Sequence, residues 1–186
     1  MANATHARIV GKLLRAIQLS LVVIACTASS GLSANWSLFI DAEEGIQFLA
    51  IGTPEKRRLD GPEAVKIIWH FEYLEDGTNG YVEATRLKQA SFADLDVVRD
   101  AADLQLGLEQ SGKTKVARQR RVTVAGVSAI EFSTTSRTSK GATWHGVTRM
   151  FVVGNTLFTI GVTASTVARL EEQPIQVFLN SFKRLR

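Results

Sequence analysis

The chain has a single cysteine in 186 residues, Cys26, which excludes an intrachain disulfide and any cysteine-cluster metal site. Histidine is nearly as scarce. Of His6, His70 and His145, neither of the last two is flanked by the three or four ligands a zinc site takes, so each reads as a structural or surface residue. No G-x-S-x-G elbow and no H-E-x-x-H helix occurs. Serines are plentiful, but none is paired with a histidine by spacing. A large excess of charge of one sign is also lacking. The net charge is +4, and Arg8, Lys12 and Arg15 stand in an acid-free start that leaves +1 for the rest. A near-neutral domain offers no electrostatic case for nucleic acid. There is no internal repeat, no domain-length linker and no motif that implies a cofactor.

What is present begins with a leader. Residues 1–15 are basic, residues 16–34 carry no charge, and the apolar centre at 19–25 gives way to Thr27, Ala28, Ser29, Ser30 and Gly31. A basic start, an apolar middle and a small-residue end are the layout of an export signal. The Val23-Ile24-Ala25-Cys26 run resembles a bacterial lipobox. In such precursors the cysteine takes a diacylglycerol and becomes the mature N-terminus. The Ser/Gly-rich run after Cys26 then serves as a flexible tether. Ordinary cleavage after Ala28, Ser30 or Ala34 is the competing outcome. An uncleaved anchor is a third, although the run is short and polar for a bilayer span. Residues 1–34 are therefore expected to be export signal and tether, and 35–186 a single globular domain.

The domain is organised around residues 148–163, TRMFVVGNTLFTIGVT. Two β-branched, apolar runs flank Gly154-Asn155, a pair that tolerates the positive φ of a two-residue hairpin turn. Both faces of the ribbon are apolar, which predicts a place in the middle of a sheet covered on both sides. A closing helix presents Ile175, Phe178, Leu179 and Phe182 on one face. Pro174 suits its first turn, and Lys183, Arg184 and Arg186 are expected to complement its dipole.

Upstream, strands are expected at 36–41 and 46–51 around the turn 42–45, then a charged loop over 55–61 and strands at 64–74 and 81–87. Ser91, with Asp94 three residues on, is expected to open a helix that runs to Gly112 with Val97, Ala101, Leu104 and Leu108 on its buried face. A second hairpin, 115–124 and 128–135, turns at Ala125-Gly126. Segregated strands and helices predict a largely antiparallel sheet with helices packed on it.

Three stretches, VTVAGVSAIEF, FVVGNTLFTIGV and the closing FLNSFKRL, resemble the PsbP-like family over roughly Leu38 to Leu185. That fold is shared by the extrinsic PsbP subunit of photosystem II, a eukaryotic Ran-binding import factor, and many small bacterial secreted proteins or lipoproteins. The resemblance implies an α/β sandwich on an antiparallel sheet and a role in binding rather than catalysis. It carries no active-site residue.

Four further patterns stand in the sequence. Residues 107–114, GLEQSGKT, match the phosphate-loop pattern G-x-x-x-x-G-K-[ST]. A phosphate loop needs a strand entering and a helix leaving, and here the expected order is reversed, so the match reads as chance. Glu43 and Glu44 read as solvated turn residues. Arg118, Arg120 and Arg121, with Lys113 and Lys115, form the one dense basic run. Strict alternation puts Lys113, Lys115 and Arg121 on one face and Arg118 and Arg120 on the other. The run reads as a charge-guarded strand edge or as a patch for an anionic partner or lipid headgroups. Asn35-Trp36-Ser37 is a glycosylation sequon, meaningful only in a eukaryotic secretory host.

The expected function is that of an exported, lipid-anchored, non-catalytic interaction domain of an envelope assembly, located in the periplasm, anchored on the membrane, or outside the cell. Its partner is an envelope protein that the sequence does not identify. The alternatives are a small-ligand or anion carrier with a cleft between sheet and helix, and a hydrolase assembled near His70 or His145.

Overall fold

The computed structural model describes residues 36–72, 77–110, 114–138 and 141–185. The leader, Cys26 and the boundary at residue 34 lie outside the described residues. The elements are β1 (Trp36–Asp41), β2 (Ile46–Ile51), β3 (Glu55–Asp60), β4 (Ala64–Glu72), β5 (Asn79–Leu87), α1 (Ala101–Glu109), β6 (Thr114–Val124), β7 (Val127–Arg137), β8 (Thr143–Val153), β9 (Thr156–Ala164), α2 (Val167–Leu170), α3 (Gln173–Asn180) and β10 (Lys183–Arg184). They form two sheets, ordered β1-β2-β10 and β3-β4-β5-β9-β8-β7-β6. All their strand pairs are antiparallel. With only three short described helices, the fold is more sheet-dominated than the expected sandwich of helices on a sheet.

The organising hairpin is where the sequence predicts it. β9 is the fourth of seven strands, and all its residues but Thr163 are buried. Gly154 takes φ +59° while Asn155 stays out of the left-handed region. Glycine first and negative φ second is the type II′ pattern, whose twist suits a hairpin. Asn155 contributes a hydrogen bond instead: its Oδ1 accepts the Phe92 N–H at 2.8 Å.

Each face of the large sheet carries its own core. One face packs Trp69, Phe71, Phe151 and Phe158 against Phe48 of β2, Ile175 and Phe178 of α3, and Phe182. Rings meet edge-on or stacked here, as at Phe71–Phe178 (5.1 Å) and Phe151–Phe158 (5.6 Å). Burying one such side chain stabilises by about 1.5–3 kcal/mol. The other face packs Leu87, Ile130, Phe132, Met150 and Leu157 against Phe92, Leu95, Val97 and Leu104.

Three expectations are corrected. The charged run at 55–60 is a strand, not a loop, exposed along its whole length and paired only with β4. An edge strand can be charged at every position, because charge there deters further pairing. The helix expected from Ser91 begins only at Ala101. Over residues 91–100, polar side chains engage nearby amides: Ser91 Oγ accepts Ala93 N–H, Asp96 Oδ1 accepts Val98 and Arg99 N–H, and Asp100 Oδ2 accepts Asp96 N–H. Such local bonds compete with helix hydrogen bonds. Lys183 and Arg184 do not sit on the last helix but pair with β2 as β10. The cation at the end of α3 is Arg149, from the middle of the sheet, whose Nη1 donates to Leu179 O at 2.8 Å and Asn180 Oδ1 at 2.9 Å.

Candidate functional site

The basic run lies on β6, an edge strand of the large sheet. Its faces differ from strict alternation because the ladder shifts register between Val116 and Arg118, leaving Ala117 as the extra residue of a β-bulge. Lys115 pairs with Thr135, Arg118 with Ser133 and Arg120 with Glu131, so these three cations share a face. Arg121 pairs with Ile130 and takes the opposite face. The expected grouping of Lys115 with Arg121 is thereby overturned. Lys113 is outside the described residues.

The cations also differ in state. Arg120 Nε binds Glu131 Oε1 at 2.5 Å, and Arg149 Nε binds Glu131 Oε2 at 2.8 Å. Burial alone raises the Glu131 pKa, but the hydrogen bonds from Arg120 and Arg149 prevail and hold it below the usual carboxylate range. Lys115, Arg118 and Arg121 are exposed and make no ion pair among the described residues, and Arg137 at the end of β7 is like them. Arg137 pairs with Thr143 and alternates with Thr135 and Ser133, so it shares the face of Lys115 and Arg118. The result is a face with three exposed cations that make no ion pair among the described residues, beside the half-buried hydroxyls of Ser133 and Thr135.

Arg121 instead lines a groove of about 400 Å³ with Asp96, Val98, Val122, Thr123 and Ser128. A smaller cavity of about 210 Å³ lies among Pro62, Glu63, Leu87, Gln89 and Ala90.

The histidines stand apart, on β4 and β8, with β5 and β9 between those strands. His70 Nε2 lies 3.1 Å from Asn79 Oδ1. No group of three residues able to hold a metal ion occurs among the described residues. In the stretch 107–114, α1 runs in as far as Glu109 and β6 runs out from Thr114, with 111–113 outside the described residues. Gly107 is buried within the helix, and Glu109 Oε1 accepts the Val116 N–H at 2.9 Å.

The expectation for Glu43 and Glu44 holds for one of them. Glu43 is exposed, but the Glu44 side chain is buried and binds Arg86 Nη2 at 2.9 Å. Lys56 on β3, the strand that reads as a loop in sequence, reaches Asp41 and Glu43, both at 2.8 Å, and Glu44 at 3.9 Å. Burial pushes the Asp41 pKa up, but hydrogen bonds from Lys56 and Trp69 outweigh it and leave it lowered.

Sequence reasoning missed two polar pairs inside the sheet. Lys66 and Glu83 are buried and 3.2 Å apart, with Thr85 Oγ1 donating to Glu83 at 2.8 Å. A lone lysine within AVKIIWHF was the available signal. Tyr81 lies across Gly161, where a Cβ would come within 2.3 Å of its ring, and its hydroxyl is 3.2 Å from Thr148 Oγ1. Burial pushes the Tyr81 pKa up to about 12.

Two antiparallel sheets enclosing an aromatic core, with a short closing helix, define a class seen among solved structures. The solution structure of cyanobacterial PsbP from Synechocystis sp. PCC 6803 superposes with a TM-score of 0.55 and 13% identity, covering 87% of this chain and 98% of that one. The chain thus has the PsbP-like fold that its sequence resembles. A Bacteroides thetaiotaomicron VPI-5482 protein (TM-score 0.46, 11% identity, 80% of this chain and 48% of that one) is a more distant match. So is PA94 of Pseudomonas aeruginosa, described as a protein of unknown function and putative regulator (0.40, 13%, 73% and 85%). No family model and no curated protein matches the chain. No helix among the described residues is long and apolar enough to cross a membrane.

Proposed function

We propose that the chain is an exported, lipid-anchored interaction domain that serves an envelope assembly by contact, without making or breaking a bond. The observation that carries this reading is the face holding Lys115, Arg118 and Arg137. These cations are exposed and unpaired, whereas Lys66, Glu83, Glu131 and Arg149 are sunk in internal ion pairs. Unspent charge on an exposed surface suits recognition of an anionic partner. The leader layout and the Cys26 motif support export and anchoring. The fold supports the comparison with exported binding subunits that the resemblance implies. The phosphate-loop match at 107–114 remains, in this reading, a coincidence, supported by a helix that enters and a strand that leaves. ATP binding that Lys113→Ala abolishes would overturn that point.

Intact mass spectrometry of the mature chain tests the anchor. The expected species begins at Cys26 and carries a diacylglyceryl mass. An unmodified chain beginning after Ala28, Ser30 or Ala34 removes the anchor. Photo-crosslinking in native membranes, from exposed positions outside the cationic face, is expected to trap a discrete envelope component. A second reading, an anion carrier, draws on the groove in which Arg121 sits with the hydroxyls of Thr123 and Ser128. Chemical-shift changes at those residues on titration with inorganic phosphate would favour it.

A further inference from the structure

A row of cross-strand neighbours ties the start of the described chain to the cationic face. Trp36 packs edge-on against Phe71, ring centroids 5.9 Å apart. Phe71 pairs with Gly80, Gly80 with Val162, Val162 with Val147, Val147 with Ser133, and Ser133 with Arg118. Direct cross-strand partners project from the same face. Phe71, on which Trp36 packs, therefore lies in one row and on one face of the sheet with Arg118, five strand spacings or about 24 Å away. The next rows toward that end of the sheet hold Lys115 with Thr135 and His145, and then Arg137 with Thr143. From Trp36, β1 leads away toward Asp41, whose carboxylate meets Trp69 Nε1 at 2.9 Å. The chain thus enters the domain at the end of the sheet where the unpaired cations stand.

We infer that this end and face of the sheet lies against an anionic lipid surface, with Lys115, Arg118 and Arg137 directed at phosphate headgroups. The inference rests on the anchored reading above and adds an orientation to it. Between Cys26 and Trp36 the chain can extend over about 33 Å, which lets the domain reach the surface and lie against it. The occupant is a surface, not a small anion, because the three cations stand exposed on one face of the sheet and line neither groove described. An added strand is disfavoured, because the bulge at Ala117 interrupts the β6 edge it would pair with. Glu131 on this face does not cancel the patch, since Arg120 and Arg149 both engage it. Lipid is favoured over an acidic protein because the tether and the cations share one end of the domain. Each cation near an anionic surface strengthens association about fivefold, so the three together favour the docked orientation on the order of a hundredfold.

The test uses the full chain, isolated from membranes with Cys26 in place and reconstituted in nanodiscs containing a lipid with a nitroxide on its headgroup. A fluorescent amino acid is placed genetically at Thr143, beside the patch, or at Thr123, near the opposite end of β6. In phosphatidylglycerol discs the Thr143 probe is expected to be quenched several-fold more than the Thr123 probe. That difference is expected to vanish in phosphatidylcholine discs and in the K115Q/R118Q/R137Q variant, whose fold is checked by circular dichroism. Equal quenching at both sites overturns the inference, as does quenching at Thr143 that ignores lipid charge and the variant. A chain that does not stay on the discs sinks the anchored reading and this inference together. A chain that stays but shows no preference at Thr143 sinks the inference alone. A protein crosslinked from position 118, with the Thr143 probe unquenched, identifies an acidic protein as the occupant and overturns the lipid assignment.

Discussion

Replacing Glu131 with glutamine should destabilise the domain far more than removing the exposed Arg120 of β6. Arg149 is only 4% exposed and lies under α3, with Glu131 as its ionic partner and Leu179 O and Asn180 Oδ1 as its other acceptors. Glu131→Gln keeps the shape of the side chain but leaves a buried guanidinium without its counter-charge. Breaking a buried pair from one side costs about 3–5 kcal/mol. With a urea m-value of about 2 kcal/mol/M, the low end of that range moves the unfolding midpoint down by about 1.5 M. Arg120→Gln is the control. The Arg120 side chain is 51% exposed, and Glu131 keeps Arg149, so the loss should stay under about 1 kcal/mol. The double replacement Glu131→Leu with Arg149→Met removes both charges and should recover much of the loss. The pH dependence follows from the lowered Glu131 pKa. A carboxylate whose folded pKa is depressed stabilises above its unfolded pKa and loses that contribution as pH falls through the folded value. The amide of the variant does not titrate, so the gap between wild type and Glu131→Gln should narrow as pH falls through the lowered folded pKa of Glu131. Urea unfolding followed by the fluorescence of the three tryptophans, Trp36, Trp69 and Trp144, measures all four proteins. A Glu131→Gln cost below 1 kcal/mol, or an equal cost for Arg120→Gln, would refute the reasoning.

Other outcomes follow from single contacts. Gly161→Ala places a methyl 2.3 Å from the Tyr81 ring on a central strand and should cost about 3 kcal/mol, read as a fall in melting temperature. Ala125 holds φ +51° in the β6–β7 turn beside Gly126 at φ +79°. Ala125→Asn creates the Asn-Gly pair that such a turn favours and should add about 0.5–1 kcal/mol by the same assay. Asn155→Ala removes the acceptor for Phe92 N–H and should cost about 1–2 kcal/mol. Faster amide exchange at Phe92, with the β8–β9 ladder unchanged, would separate a loosened 91–98 segment from general unfolding.

How much could be read in advance depended on whether neighbours in sequence were also neighbours in space. The β8–β9 hairpin, the strands flanking residues 42–45 and the buried face of α3 were legible because turn chemistry and apolar periodicity act over a few residues. The start of α1 was not, because in residues 91–100 local side-chain bonds outweigh a helical pattern that looks acceptable by spacing. β3 was hidden for the opposite reason. An edge strand needs no alternation, and its existence depends on β4 lying beside it.

The candidate site shows the same division. Sequence alone determined that Lys115, Arg118, Arg120 and Arg121 would be crowded on one strand, since their spacing is covalent. Which of them share a face was decided by the bulge at Ala117, which reverses the alternation beyond it. Which of them are free was decided by Glu131 and Arg149, brought in by two further strands. Only the folded sheet brings Arg137 alongside Lys115 and Arg118 and sets them at the end where the chain enters. Cross-strand register places side chains at ångström spacing although they are far apart in sequence, and local periodicity carries no record of it.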